Sequence, residues 1–141
     1  MTVEAIHLGE PEGPRLRSVE TVRAVAGKGL EGDRRYFYED GAEPGRALTL
    51  VEAENVEAVG LAPGETRRQV TTRGVRLDDL VGRRFRLGEV ECYGVELCEP
   101  CKHLESLTRP GIQEVLEHRG GLNADILNDG TIAVGDAVSV S

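Results

Sequence analysis

The chain has 141 residues, 39% of them apolar, the size of one domain that buries roughly two-thirds of its unfolded surface without disulfides or a structural metal. It carries 25 acidic against 17 basic residues, a net charge of -8, only 4% aromatic residues and no Trp. Such a surface repels phosphate backbones and anionic lipids and gives bases nothing to stack on, so nucleic-acid binding is not expected. No apolar run approaches the ~18 residues of a membrane span, so no membrane association is expected. Glu4, His7 and Glu10 interrupt the N-terminus where a secretion signal would need an apolar stretch, and the expected location is the cytoplasm.

In chain order, Val3–Leu8 reads as the first strand, with His7 in it as an ordinary strand histidine whose hydrogen bonds the fold satisfies. Val19–Ala26 follows as a second strand. Gly27-Lys28-Gly29-Leu30-Glu31-Gly32 has the glycine spacing of a dinucleotide fingerprint. The residues after it, Asp33-Arg34-Arg35-Tyr36-Phe37-Tyr38, are strand-like, whereas that fingerprint must open a helix. A glycine-rich loop at a pocket mouth is expected instead. Arg46–Val51 reads as a strand leading into a helix over Glu52–Val59, where Ala53, Val56 and Val59 recur on one face and Gly60 gives a stop.

Strands over Arg67–Thr72, Arg84–Leu87 and Val90–Leu97 come next, the last two joined by a tight turn at Gly88. Short helices are expected over Lys102–Leu107 and over Ile112–His118, the latter after Pro110 and before Gly120-Gly121. Asn128-Asp129-Gly130 marks a turn after a strand over Asn123–Leu127, and Ala137–Val140 ends the chain as a strand. Many short strands with few short helices predict a mainly β fold, a closed or nearly closed barrel, over a single domain of residues 1–141.

Three cysteines, Cys92, Cys98 and Cys101, fall within ten residues, an odd and local set that argues against a disulfide framework. Cys98-Glu99-Pro100-Cys101-Lys102-His103 lacks the His directly after the second Cys that haem attachment requires. A redox dithiol lacks its βαβ surroundings. Zinc on Cys92, Cys98, Cys101 and His103 is one alternative, although structural zinc usually ties together two separated ligand pairs. The other is a reactive thiolate: Cys101 precedes a helix start and has Lys102 and His103 beside it, which favours the ionised thiol. Cys92 alternates with Glu91 and Tyr93 on a strand and reads as buried and inert. Only two of the basic residues are lysines, Lys28 and Lys102; the fifteen arginines are the better forks for fixed anions. Arg119 stands before Gly120-Gly121, next to accessible backbone amides, which makes a workable anion site. His118 is read as completing a helix C-terminus.

Taken in order, several pieces resemble a stand-alone MOSC domain, the family named after the C-terminal domain of molybdenum-cofactor sulfurases. They are Gly29-Leu30-Glu31-Gly32-Asp33-Arg34, Leu48-Thr49-Leu50-Val51-Glu52, Arg67-Arg68-Gln69-Val70-Thr71-Thr72-Arg73-Gly74, Leu77-Asp78-Asp79-Leu80-Val81-Gly82 and Phe85-Arg86-Leu87-Gly88. Cys98-Glu99-Pro100-Cys101, His118-Arg119-Gly120-Gly121-Leu122 and Gly135-Asp136 complete the set, which spans roughly residues 27 to 138.

The resemblance implies a barrel of the pyruvate-kinase-barrel type and a cysteine that carries sulfane sulfur or ligates molybdenum, a role that Cys101 inherits. It implies the molybdenum cofactor (molybdopterin), with Arg34, Arg68 and Arg119 for its phosphate and pterin and with Gly32 and Gly120 allowing close backbone approach. Asp33 is then an orienting partner for an arginine. Pyridoxal phosphate, which serves a desulfurase domain in larger relatives, is implied only through a partner protein. The implied partners are a cysteine desulfurase or other sulfur donor and a small-molecule substrate, an N-hydroxylated compound if the domain is a reductase. A non-catalytic persulfide carrier and a structural zinc module are the alternatives. One departure is Gln69, where the family often has Asn after the Arg-Arg pair.

Overall fold

The computed structural model describes residues 1–9, 16–32, 47–58, 69–97 and 121–140. The strands in them are β1 (Thr2–Gly9), β2 (Leu16–Val19), β3 (Thr21–Val25), β4 (Gly29–Leu30) and β5 (Leu48–Glu52). The helix α1 (Ala53–Ala58) leads to β6 (Val70–Arg73), and a 3-10 turn over Leu77–Leu80 leads to β7 (Arg84–Leu87) and β8 (Val90–Leu97). β9 (Leu122–Ile126), β10 (Gly130–Ala133) and β11 (Val138–Val140) follow. The two helices expected over Lys102–Leu107 and Ile112–His118 lie outside the described residues.

Alternation of side chains across the pleat fixes these strands. In β7, Phe85 and Leu87 are buried while Arg84 and Arg86 are exposed; in β10, Gly130 and Ile132 are buried and Thr131 is exposed. Among the described strands only β5 is buried at four successive positions, Leu48 to Val51, because it lies centrally in the sheet and α1 packs over β5 and β6. Leu48 and Leu50 belong to the main apolar core with Ile6, Phe85, Leu87 and Leu122, each worth about 1.5–3 kcal/mol of burial. Val51, Ala53 and Val56 are also buried but lie outside that cluster. Among the described residues, no helix is long and apolar enough to cross a membrane.

An eight-stranded sheet runs β11-β7-β8-β9-β5-β6-β1-β2, and a three-stranded sheet runs β10-β3-β4. All pairings between the described strands are antiparallel except β5 with β6, and the isolated bridge of Val81 to Gly94 is also parallel. The large sheet curls so that its two ends meet. The edge of β1 away from β6 pairs with β2 from Ile6 to Gly9, while nearer the chain start Thr2 bridges to Ala137. Three backbone bonds close that seam: Val3 N–H to Asp136 O (2.9 Å), Gly135 N–H to Val3 O (2.8 Å) and Val138 N–H to Met1 O (2.9 Å). The ladder is thus open in strand order and stitched along one seam, the nearly closed barrel that the strand pattern predicts.

Two details differ from the sequence reading. The single strand expected over Val19–Ala26 is β2 and β3 separated by Glu20, whose carbonyl accepts Val134 N–H at 2.8 Å. The chain leaves one sheet for the other at that bend, so the two halves have different pairing partners. The expected list also lacks β10, a four-residue strand directly after a strong turn. The glycine-rich run is a hairpin: Val25 faces Gly29 and Lys28 N–H donates to Val25 O at 3.1 Å, with Gly27 at φ 71°. That geometry has no place for a dinucleotide fold.

Candidate functional site

On the face of the sheet opposite the core, a row of polar side chains crosses six strands. His7 pairs with Ser18 of β2, and its N–H donates to the carbonyl of Gln69, the residue before β6, at 2.7 Å. Gln69 binds Thr49 of β5, Thr49 pairs with Asn123 of β9, and Asn123 pairs with Glu96 of β8. Aligned neighbours in a sheet share a face, with Cβ atoms about 5 Å apart. The row is exposed at its ends, Ser18 and Glu96, and covered in its middle, where Thr49 and Gln69 are 3% and 5% exposed.

Thr49 and Gln69 satisfy each other. The Gln69 Oε1 accepts the Thr49 N–H at 2.9 Å and faces the Thr49 hydroxyl at 3.4 Å, while the Gln69 N–H donates to Thr49 Oγ1 at 3.0 Å. The amide that departs from the family pattern therefore commits its oxygen to the scaffold. His7 is different. Its Nδ1 is buried and has no hydrogen-bond partner among the described residues, and burial holds the half-buried imidazole below its ordinary pKa. The expectation of a satisfied strand histidine is corrected on this point, and the sequence had no signal for it, since the missing partner is a property of packing across strands.

At its chain start, the same face is braced by charge. Glu4 is the extra residue of a bulge in β1, and Arg73 of β6 donates to both of its carboxylate oxygens (2.6 and 3.1 Å) and to Glu57 of α1. These two carboxylates raise the Arg73 pKa. The Glu54 carboxylate accepts the Gly74 N–H at 2.8 Å. Glu52, at the junction of β5 and α1, accepts hydrogen bonds from Asn55 Nδ2 (3.3 Å) and the Leu77 backbone; burial is the main cause of its raised pKa.

Of the residues singled out from the sequence, Cys101, Arg34, Arg68, Arg119 and Gly120 lie outside the described residues, as do Cys98, His103 and Asp33. Gly32 is described. Its φ of 93° suits glycine, and a Cβ there would stand 3.0 Å from Arg17 Nη2 and 3.5 Å from Leu8 Cδ1. Arg17, which the motifs did not point to, thus brings a guanidinium beside Gly32. The described neighbours of the remaining residues sit on adjacent strands. Gln69 is locked to Thr49, Leu97 pairs with Leu122, and Gly121 lies so close to the Leu50 carbonyl that a methyl would strike it. Just before Leu97, Val95 is an extra residue between Gly94 and Glu96, a bulge of the kind that re-aims side chains next to sites.

Cys92 occupies the apolar core, aligned with Phe85 on one side and Ile126 on the other. Burial pushes its thiol up to about 12, with Glu91 adding to the rise, so it stays protonated and inert as expected. That placement withdraws one of the four ligands of the zinc alternative. Among the described residues, no group of three or more His, Cys, Asp or Glu side chains is arranged to hold a metal.

The fold has solved counterparts. YuaD from Bacillus subtilis superposes with a TM-score of 0.79 at 15% identity, covering 98% of this chain and 93% of that one. YiiM from Geobacillus stearothermophilus gives 0.74 at 18% identity, with 99% and 74% covered, and YiiM from Escherichia coli gives 0.73 at 18% identity, with 100% and 70% covered. At such identities the likeness speaks to the fold alone. No functionally curated protein matches the chain in sequence. The profile of the MOSC domain matches residues 42–139, well over half of the chain, and it spans β5 through most of β11 with the polar row's Thr49, Gln69, Glu96 and Asn123. The chain belongs to the MOSC domain family.

Proposed function

We propose that this MOSC domain binds the molybdenum cofactor over the polar face of β1, β6, β5 and β9 and uses Cys101 to ligate the metal or to carry sulfane sulfur. The observation that supports the reading is one of connectivity. Arg68 is one peptide step, about 3.8 Å between Cα atoms, from Gln69; Cys98 and Gly120 stand in the same relation to Leu97 and Gly121. Gln69 aligns with Thr49 from the β6 side and Gly121 packs against Leu50 and Val51 from the β9 side, so these two anchors are offset by about 7 Å along β5 and lie about two strand spacings, about 10 Å, apart across it. The buried, unpartnered His7 Nδ1 on the same face fits a polar ligand.

In this reading Arg34, Arg68 and Arg119 hold the phosphate by bidentate hydrogen bonds, which a protein of net charge -8 must concentrate locally. Gly32 and Gly120 let the backbone approach, and the bound metal centre supplies two-electron redox chemistry. Reduction of N-hydroxylated compounds is the activity to assay. Cys101 sulfur, when persulfidated, comes from a separate desulfurase, to which any pyridoxal phosphate belongs.

The test is metal and pterin analysis of natively purified protein combined with intact mass before and after reductant. Molybdenum with pterin is the expected result, lost in Cys101→Ser. A reductant-labile extra sulfur atom without metal would make the protein a persulfide carrier instead. Limited alkylation at neutral pH should label Cys101 ahead of Cys98, and Cys92 only after unfolding; faster labelling of Cys98 would transfer the role to that residue.

A further inference from the structure

We infer that His7 is a ligand-contacting residue whose Nδ1 hydrogen-bonds one edge of the cofactor's pterin ring; this rests on the cofactor reading above. A buried nitrogen with no partner costs the fold stability that a leucine of similar bulk would not. Polar groups left unsatisfied in this way concentrate where a ligand completes them. The surroundings say which chemistry fits. Through the middle of the row the side chains are uncharged: Thr49 and Gln69 are buried, and the half-buried His7 and Asn123 flank them. Ser18 and Glu96 close the row at its exposed ends.

A phosphate would be desolvated there without a cation in the row, which is unfavourable. A heterocycle presents alternating N–H, ring-nitrogen and carbonyl groups, each of which a neutral imidazole nitrogen can match as donor or acceptor. The Gln69 oxygen is already taken by Thr49, so His7 is the group in the row with an unanswered buried atom. The pterin therefore lies over β1 and β6, and its phosphate is left to the arginines.

The experiment compares His7→Asn and His7→Leu with the unaltered full chain, using a phosphorylated pterin as probe in calorimetric titration. Imidazole nitrogen shifts are followed by NMR and melting temperature is measured without probe. Asn and Leu have similar shape, and the Asn amide stands near the Nδ1 position. The expected result is binding within about threefold for His7→Asn and about tenfold or more weakened for His7→Leu. The Nδ1 shift of His7 should move on binding, and ligand-free His7→Leu should melt no lower than the unaltered chain. Equal binding by His7→Leu, or an Nδ1 shift that stays still when the probe binds, overturns the inference and leaves the cofactor reading standing. Absence of probe binding by the unaltered protein overturns both.

Discussion

Two polar corners of the same curled sheet are built on different terms. At the β7–β8 hairpin, Gly88 turns at φ 61°, donates its N–H to Ala137 O at 2.9 Å and lies against the Asp136 carboxylate so closely that a Cβ would collide with it. The Asp136 carboxylate accepts the Ala133 N–H at 2.8 Å, and the Asp136 N–H donates to Ala133 O at 3.0 Å. On the outer face, Thr49 and Gln69 are as tightly matched, yet His7 beside them keeps a buried nitrogen unanswered. Both corners carry residues of the family pattern. The first has its hydrogen bonds matched within the fold, while the second leaves one buried nitrogen unmatched among the described residues. Membership of a motif does not separate the two roles, and hydrogen-bond bookkeeping does.

The sharpest way to break the contrast is Gly88→Ala. A left-handed residue with a Cβ costs about 1–2 kcal/mol, and displacing the Asp136 carboxylate costs about 1 more by loosening its bond to Ala133. The urea midpoint should fall by the equivalent of about 2–3 kcal/mol with an unchanged slope. A midpoint that barely moves would mean that this corner is slack, and its self-sufficiency would be lost as a reference for the other.

A middle-sized effect is expected from Thr49→Val and Gln69→Leu. Each leaves a buried partner unmatched and should cost about 1–3 kcal/mol singly. Valine removes the acceptor of the Gln69 N–H and leucine the acceptor of the Thr49 N–H, so the two share only the 3.4 Å contact between the hydroxyl and the amide oxygen. The double variant should therefore cost the sum of the singles less a coupling of about 0.5 kcal/mol. Strict additivity in denaturant titrations would show that the 3.4 Å contact adds nothing and that the two backbone-to-side-chain bonds alone hold Gln69.

Much of this was legible in the chain. Gly88 between two alternating runs, the apolar spacing of Ala53 and Val56 in α1, and Asn128-Asp129-Gly130 before β10 are local signals, and local signals dictated the β7–β8 hairpin, the helix and the turn. The Glu20 bend and β10 were not legible, because a four-residue strand acquires its identity from the partner that Val22 and Ile132 give each other across the small sheet. The burial of Cys92 followed from alternation with Glu91 and Tyr93. His7 did not follow from anything local: Ile6, His7 and Leu8 alternate as any edge-to-core strand does, and only the assembled sheet sets Gln69 beside the imidazole and leaves Nδ1 without a partner.

The smallest expected effect is on pH dependence, and it isolates His7 from the rest. Burial holds the folded imidazole below its ordinary 6.5, so the unfolded chain takes up a proton at a pH where the folded chain does not. Stability from this group is complete above 6.5 and is lost as the pH falls from there toward the lower folded value. Glu52 works in the opposite sense and in a lower window: burial raises its folded pKa above 4.5, so its ionisation disfavours the fold as pH rises through the carboxylate range. Comparing the unaltered chain with His7→Leu between about pH 7.5 and 5.5 therefore reports His7 with little interference from Glu52. The unaltered protein should lose stability on acidification faster than the variant, by a slope equivalent to at most one proton, and a saturating phosphorylated pterin that occupies Nδ1 should change that difference. Parallel stability curves for the two proteins would return His7 to the status of a satisfied strand histidine and remove the asymmetry between the two corners.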